Sequence, residues 1–184
     1  SMRTLHMFFL MLFIMISCTD ESVPNTSPQK VIDYYQFNEH NLDLFGIDAT
    51  IMIPNETAGI GASFETEIIH NDGDFKWNIS AGRNFNVFIE DYGDYQYRMP
   101  EFLRKLDVQD IFKTKIIQQE ENYVIYKREL NLSSKTISTY HLYGVKYING
   151  VYYEMKNNEE GDSKKVIDFI LKSFLSFRPI NMEI

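Results

Sequence analysis

Cysteine is almost absent from this chain: Cys18 is the single cysteine among 184 residues. One thiol cannot build a disulfide framework within the chain. About 165 residues follow the amino-terminal segment, which fits one domain. A domain of that size buries roughly 70% of its unfolded surface, so its core needs no disulfide or metal to hold it together.

An excess of positive charge is also missing. The chain has 18 Lys and Arg against 26 Asp and Glu, a formal net charge of −8. Removal of residues 1–17 would take away only Arg3 and leave −9. An acidic surface repels phosphate backbones, so we predict no nucleic-acid partner. Charge would not hold such a surface on an anionic bilayer either, so membrane attachment has to come from elsewhere.

No apolar run is long enough to span a bilayer. The amino-terminal run Met7–Ile16 follows Arg3 and carries no charge, but it has ten residues. A spanning helix needs ~20 apolar residues, whereas a basic residue followed by a run of this length is typical of an export signal. We therefore predict that residues 1–17 are a signal peptide.

The signal ends in Met15-Ile16-Ser17-Cys18, which resembles the lipobox of bacterial lipoproteins. The resemblance implies cleavage before Cys18, a diacylglyceryl thioether on its sulfur and acylation of its new amino group. Two or three acyl chains hold a protein stably on a membrane, whereas one does so only marginally. The alternatives are an ordinary signal peptide with an incidental cysteine, or a buried helix.

Residues 18–30 are rich in Pro, Ser, Thr and Asn and have no periodicity, which predicts a flexible polar tether. Asp20 and Glu21, soon after the cysteine, resemble the surface-export signal of Bacteroidota lipoproteins; an ordinary solvated linker is the alternative. We expect an outer-membrane lipoprotein of the cell envelope, either exposed at the surface or on the periplasmic face.

Residues 31–184 show the patterns of one folded domain. Strand-like segments flank three turn signals, at Asn71–Asp74, Glu120–Asn122 and Asn149-Gly150, and the last is a strong hairpin signal because both residues accept positive φ. Residues 42–53 also alternate well enough to form one or two strands, closed by Pro54.

Two segments have helical spacing. Met99, Phe102, Leu103 and Leu106 form a one-sided apolar stripe. After a cap at Asp162 or Ser163, a second and wider stripe follows: Val166, Ile167, Ile170, Leu171, Phe174 and Leu175. Together these patterns predict an α+β fold, an antiparallel β-sheet covered by two or more helices.

The order of elements resembles the Mog1/PsbP-like fold. Gly150–Glu154 is similar to that family's penultimate strand, and Val166–Phe174 is similar to its final helix. The family contains photosystem and nuclear-transport accessory proteins and bacterial lipoproteins. The resemblance therefore implies an interaction module more often than an enzyme, and it assigns no functional residues.

The sequence predicts no catalytic, metal or cofactor site. His40, His70 and His141 have no zinc-ligand spacing; we expect His141 to be a packed or surface imidazole and the other two to be solvated. The pairs Asp72/Asp74 and Asp91/Asp94 each flank a glycine, and a role in turns explains these carboxylates better than calcium binding does. The pairs Glu120/Glu121 and Glu159/Glu160 indicate solvated loops. Nucleophile motifs are absent.

Aromatic residues leave one question open. Trp77, Tyr92, Tyr95 and Tyr97 either form an aromatic binding surface or fill the core and edge of a strand-rich domain, and the second interpretation is favoured.

The leading hypothesis is a non-catalytic lipoprotein, of accessory or immunity type, that binds a protein or an envelope component. The alternative is a small-ligand carrier or an enzyme with a pocket between sheet and helices. A carrier or an enzyme of this kind would be expected to have a deep cleft lined by Tyr92, Tyr97 or His141, with titratable groups whose pKa values are strongly shifted.

Overall fold

In a computed structural model, residues 31–61, 65–108 and 111–181 are described. They contain ten strands, which in chain order are β1 (Phe37–Asn41), β2 (Ala49–Pro54), β3 (Thr66–Ile69), β4 (Lys76–Ala81), β5 (Phe85–Asp91), β6 (Lys113–Gln119), β7 (Tyr123–Asn131), β8 (Thr136–Ile148), β9 (Val151–Lys156) and β10 (Arg178–Pro179). The same residues contain two α-helices, α1 (Arg98–Leu106) and α2 (Lys164–Ser176).

The strands form two antiparallel sheets. The larger sheet has seven strands in the order β3-β4-β5-β9-β8-β7-β6, and the smaller has three in the order β1-β2-β10. Helix α2 packs on β2 of the small sheet and on β8 of the large one. The main core therefore lies between the two sheets and α2, on one face of the large sheet.

Helix α1 lies on the other face of the large sheet. Its residues Met99, Phe102 and Leu103 pack on Val124 and Tyr143 of β7 and β8 in a second, smaller core. The ring of Phe102 stacks on that of Tyr143 with 3.6 Å between centroids. Alternation along β8 produces this division, because neighbouring residues such as Leu142 and Tyr143 point to opposite faces.

The expected sheet covered by two or more helices is wrong. The described chain is mostly β: an α+β-type fold is present, but a second sheet takes the place of a covering helix layer. Residues Ala49–Pro54 form β2, the central strand of that sheet, and β10 pairs with it as Arg178↔Thr50. Sequence patterning did not predict this because the two partners lie far apart in the chain.

Local predictions fared better. The three predicted turns connect β3 to β4, β6 to β7 and β8 to β9 as antiparallel hairpins. Both predicted helices are present, and Ser163 caps α2 by accepting a hydrogen bond from the backbone N–H of Val166. Of the predicted strand over 42–53, only the part from Ala49 onward is extended, since Asp43–Phe45 form a 3-10 turn.

Residues from 32 onward belong to one compact unit. The predicted signal peptide and tether, with Cys18, Asp20 and Glu21, lie outside the described residues. No helix among the described residues is long and apolar enough to cross a membrane.

Candidate functional site

Among the described residues, α1 covers only part of the face of the large sheet on which it packs. Helix α1 packs over β7 and β8, and beside it the outward residues of β4, β5 and β9 border an open groove of about 770 Å³. Phe88 of β5 and Asn78 of β4, which are cross-strand neighbours, lie in the groove. Concave sites of this size are where proteins commonly bind small molecules or side chains of a partner.

The groove is predominantly acidic. Five carboxylates border it, from Asp74, Glu90, Glu154, Glu159 and Glu160, against the ammonium groups of Lys76 and Lys156. With His70 neutral, the lining carries a formal charge of −3. Lys76 lies 3.7 Å from a carboxylate oxygen of Glu90, and Lys156 lies 3.9 Å from one of Glu154, so both lysines already have acidic partners.

A buried ion pair joins the groove to α1. The side chain of Glu154 is 2% exposed, and its Oε2 accepts hydrogen bonds from Nε and Nη2 of Arg98 at 3.0 and 2.7 Å. The hydroxyl of Tyr143 donates to the same oxygen at 2.5 Å. A buried carboxylate is costly unless it is paired and hydrogen-bonded, and these three donors satisfy that requirement on one of its two oxygens.

Tyr92 completes this network. The guanidinium of Arg98 lies 4.2 Å above the centroid of its ring, a cation–π contact. Burial and the charge of Glu154 raise the pKa of Tyr92 to about 12, and burial with the hydrogen bond to Glu154 raises the pKa of Tyr143 further above its usual range. Burial alone would lower the pKa of Arg98, but the hydrogen bond and the charge of Glu154 raise it. Arg98 stays charged and both phenols stay protonated at neutral pH.

Strand geometry places these groups together. On β9, Tyr153 and Met155 point into the main core, so Glu154 between them points to the face that carries α1 and the groove. The segment before α1 is tied to the start of β9 by backbone hydrogen bonds between Tyr92 and Tyr152 and between Tyr152 and Gly93. This pairing holds Arg98, at the first turn of α1, above the carboxylate.

The four aromatic residues considered as a binding surface are divided between the core, the ion-pair network and the exposed surface. Trp77 is 5% exposed and belongs to the main core, although it also borders the groove. Tyr92 is half-buried in the ion-pair network. Tyr95 and Tyr97 are exposed, with their rings edge to face at 5.7 Å, and they do not line the groove.

The histidines are less solvated than expected. His70 stacks on Trp77 at 4.5 Å and is within hydrogen-bonding distance of the Lys76 carbonyl, and half-buried His40 contacts the hydroxyl of Thr66. His141 is buried and stacks on Tyr126, which confirms the packed alternative. Burial lowers the pKa of His141 to about 4. Of the three, only His70 borders the groove.

Tyr92, Tyr97 and His141 do not line the groove, so it is not the deep cleft that was expected as the sign of a small-ligand carrier or an enzyme. The expected turn roles of Asp74 and Asp91 are present: their carboxylates accept from the backbone N–H of Phe75 and Gly93. Asp74 also borders the groove, as do Glu159 and Glu160, which the sequence indicated only as solvated.

Sequence patterning missed Arg98 and Glu154. The available signal was Glu154 itself, a charged residue inside an otherwise aromatic and apolar strand, Val151–Met155. A buried charge in such a strand needs a partner, but nothing local identifies Arg98 as that partner. In the described part of the chain, no group of three or more His, Cys, Asp or Glu side chains is placed to hold a metal ion.

Neither a scan against known family models nor a search of curated proteins returns a match for this chain. The resemblances to bacterial lipoproteins and to the Mog1/PsbP-like family stay predictions from the sequence. Any functional assignment therefore depends on the groove and on the amino-terminal residues.

Proposed function

We propose that this chain is a membrane-anchored lipoprotein whose folded domain is a non-catalytic module that binds a protein or an envelope component in the groove. The observation that carries the proposal is the groove of about 770 Å³ beside α1, on the outward residues of β4, β5 and β9. Its wall is braced by the buried contacts of Glu154 with Arg98 and Tyr143. A wall fixed before binding loses little conformational entropy when a partner arrives.

The lining suits recognition. It combines the apolar surface of Phe88 with carboxylate and amide groups such as those of Glu90 and Asn78. Apolar surface supplies affinity when water is released, and fixed polar groups supply orientation and specificity.

The anchor is tested at Cys18. In cells fed a labelled fatty acid, the unchanged chain should become labelled and sediment with membranes, and Cys18→Ala should be unlabelled and soluble. Ser17→Ala keeps a small residue before the cysteine and serves as the matched control. Recovery of Cys18→Ala with membranes would contradict a lipid anchor.

The binding site is tested by photo-crosslinking in cells. A photoreactive phenylalanine analogue at Phe88 lies in the groove, and the same analogue at Leu44, which is 92% exposed in a 3-10 turn, serves as the control. We expect one defined adduct from the Phe88 position that is absent from the Leu44 position. Equal adducts from both positions, or none from Phe88, would contradict the groove as the binding site.

A small-ligand carrier is the second candidate, because about 770 Å³ lies within the range of small-molecule sites. Native mass spectrometry of the protein purified from its own membranes separates the two candidates. A bound small molecule of constant mass favours a carrier, and a protein adduct at Phe88 without one favours a binding module.

A further inference from the structure

The groove contains hydrogen-bond acceptors that no donor among the described residues satisfies. All three donors to Glu154 bind its Oε2. Within the described residues Oε1 has no hydrogen bond, since the ammonium of Lys156, at 3.9 Å, is too distant for one. Oδ1 of Asn78, which also borders the groove, is buried and has no hydrogen-bond partner in the described part of the chain. A ligand that complements these groups has to bring hydrogen-bond donors, which the N–H groups of an ammonium or a guanidinium supply.

The charge of the groove selects the same kind of ligand. Lys76 and Lys156 are already close to Glu90 and Glu154, whereas Asp74, Glu159 and Glu160 have no basic partner within the described residues. Carboxylates along a concave surface sum to a negative potential that attracts cations and repels acidic ligands.

Apolar surface lies beside the carboxylates. Phe88 lies in the groove, and Ile69 at its border is 49% exposed. Lysine and arginine match this arrangement, because each places an apolar stem against apolar surface and keeps its charged head among oxygens.

We propose that the groove binds lysine or arginine side chains on an extended basic segment of a partner protein. This proposal rests on the proposed function and names the chemistry of its partner. A protein segment fits better than a free polyamine because its neighbouring apolar side chains cover Ile69, which a polyamine leaves exposed.

Trp77 gives a direct measurement, since it is the only tryptophan of the chain and borders the groove. The full chain, held in detergent micelles, is titrated with three nine-residue peptides in which valine alternates with lysine, glutamine or glutamate, and with spermidine. We expect the lysine peptide to change the fluorescence at the lowest concentration and to bind more weakly as salt is raised. Tighter binding of the glutamine or glutamate peptide, or equal binding of spermidine, would overturn the proposal.

A charge-matched pair of variants locates the effect. Glu159→Gln/Glu160→Gln removes two carboxylates of the groove, and we expect about three- to tenfold weaker binding of the lysine peptide, the size of two partly exposed ion pairs. Glu120→Gln/Glu121→Gln makes the same charge change in the β6–β7 turn, outside the groove, and should weaken binding less than about twofold. Equal losses would overturn the proposal, because the peptide would then respond only to overall charge.

The crosslinking experiment separates this proposal from the proposed function. An adduct at Phe88 whose contacting segment is rich in lysine or arginine supports both. An adduct whose segment is acidic or neutral leaves the binding module in place and overturns the basic-segment proposal. No adduct from Phe88 overturns the proposed function itself, and this proposal with it.

Discussion

Replacing Arg98 with methionine should leave the buried carboxylate of Glu154 without its main partner. The guanidinium donates two hydrogen bonds, at 3.0 and 2.7 Å, to a side chain that is 2% exposed. Removing one partner of a buried pair costs about 3–5 kcal/mol. Arg98 is itself 20% exposed, and the Tyr143 hydroxyl remains bonded to the carboxylate, so we expect about 3 kcal/mol, the lower end of that range.

A double-mutant cycle isolates the pair. Glu154→Gln keeps an acceptor for Arg98 and Tyr143 but removes the charge, and should cost about 1–2 kcal/mol. The double variant Arg98→Met/Glu154→Gln buries no unpaired charge, so its loss should be smaller than the sum of the single losses by about 1–3 kcal/mol. The exposed pair Lys76–Glu90 supplies the control: Lys76→Met should cost less than about 1 kcal/mol.

The assay is urea unfolding followed by the fluorescence of Trp77, with similar m-values required across the variants. Two outcomes would refute the reasoning. One is that Arg98→Met costs no more than Lys76→Met, which would mean that Glu154 is solvated. The other is that the effects of Arg98→Met and Glu154→Gln are additive, which would mean that the two side chains do not interact.

Gly144→Ala should lower the free energy of unfolding by about 2 kcal/mol, because the added methyl would lie 2.4 Å from the buried ring of Phe174. In a Phe174→Leu background the loss should be smaller, and an equal loss in both backgrounds would contradict the clash. The lowered pKa of His141, about 4 against an ordinary 6.5, predicts that the contribution of this imidazole to the stability is constant well above pH 6.5 and is lost as the pH falls from there toward 4. Denaturant unfolding measures this: between pH 7 and pH 4.5 the unchanged chain should lose about 2 kcal/mol more free energy of unfolding than His141→Gln does. Equal losses in the two proteins would contradict the prediction. Gly150→Ala should cost about 1 kcal/mol in the same unfolding assay, because Gly150 has φ +88° in the β8–β9 turn, whereas Gly150→Asn, which tolerates that region, should cost less.

Most of the predictions that depended on neighbouring residues were successful, although the strand expected over 42–53 begins only at Ala49. Asn149 and Gly150 both have positive φ and join β8 to β9, as their residue types require. The apolar stripe beginning at Met99 forms α1, and Ser163 caps α2. Each of these outcomes follows from interactions within a few residues, which the order of the chain specifies directly.

The pairing of distant segments could not be predicted in the same way. Pattern alone did not show that Phe37–Asn41 would form β1, that Arg178–Pro179 would join β2, or that β5 would pair with β9. Many strands share the same alternation of apolar and polar residues, and each of them could pair with the edge of any other strand. Local patterns do not indicate which pairing is the most stable. The second sheet, and with it the correct fold class, emerges only from that competition.

The candidate site depends on the same long-range choices. Pairing of β5 with β9 places Glu90 directly opposite Glu154, and the position of α1 brings Arg98 to that carboxylate. The charges of these residues are visible in the sequence, but their burial is not, because burial depends on which elements cover them.

The sequence by itself determined the hairpins, the two helices, the acidic charge and the amino-terminal pattern around Cys18, because propensity, turn conformation and charge are properties of short segments. Only the tertiary structure decided that the described residues form two sheets, that α1 covers one part of a sheet face, and that an acidic groove lies beside it next to a buried ion pair. The physical reason is that each of these features is made by residues distant in the chain, and only packing brings them together.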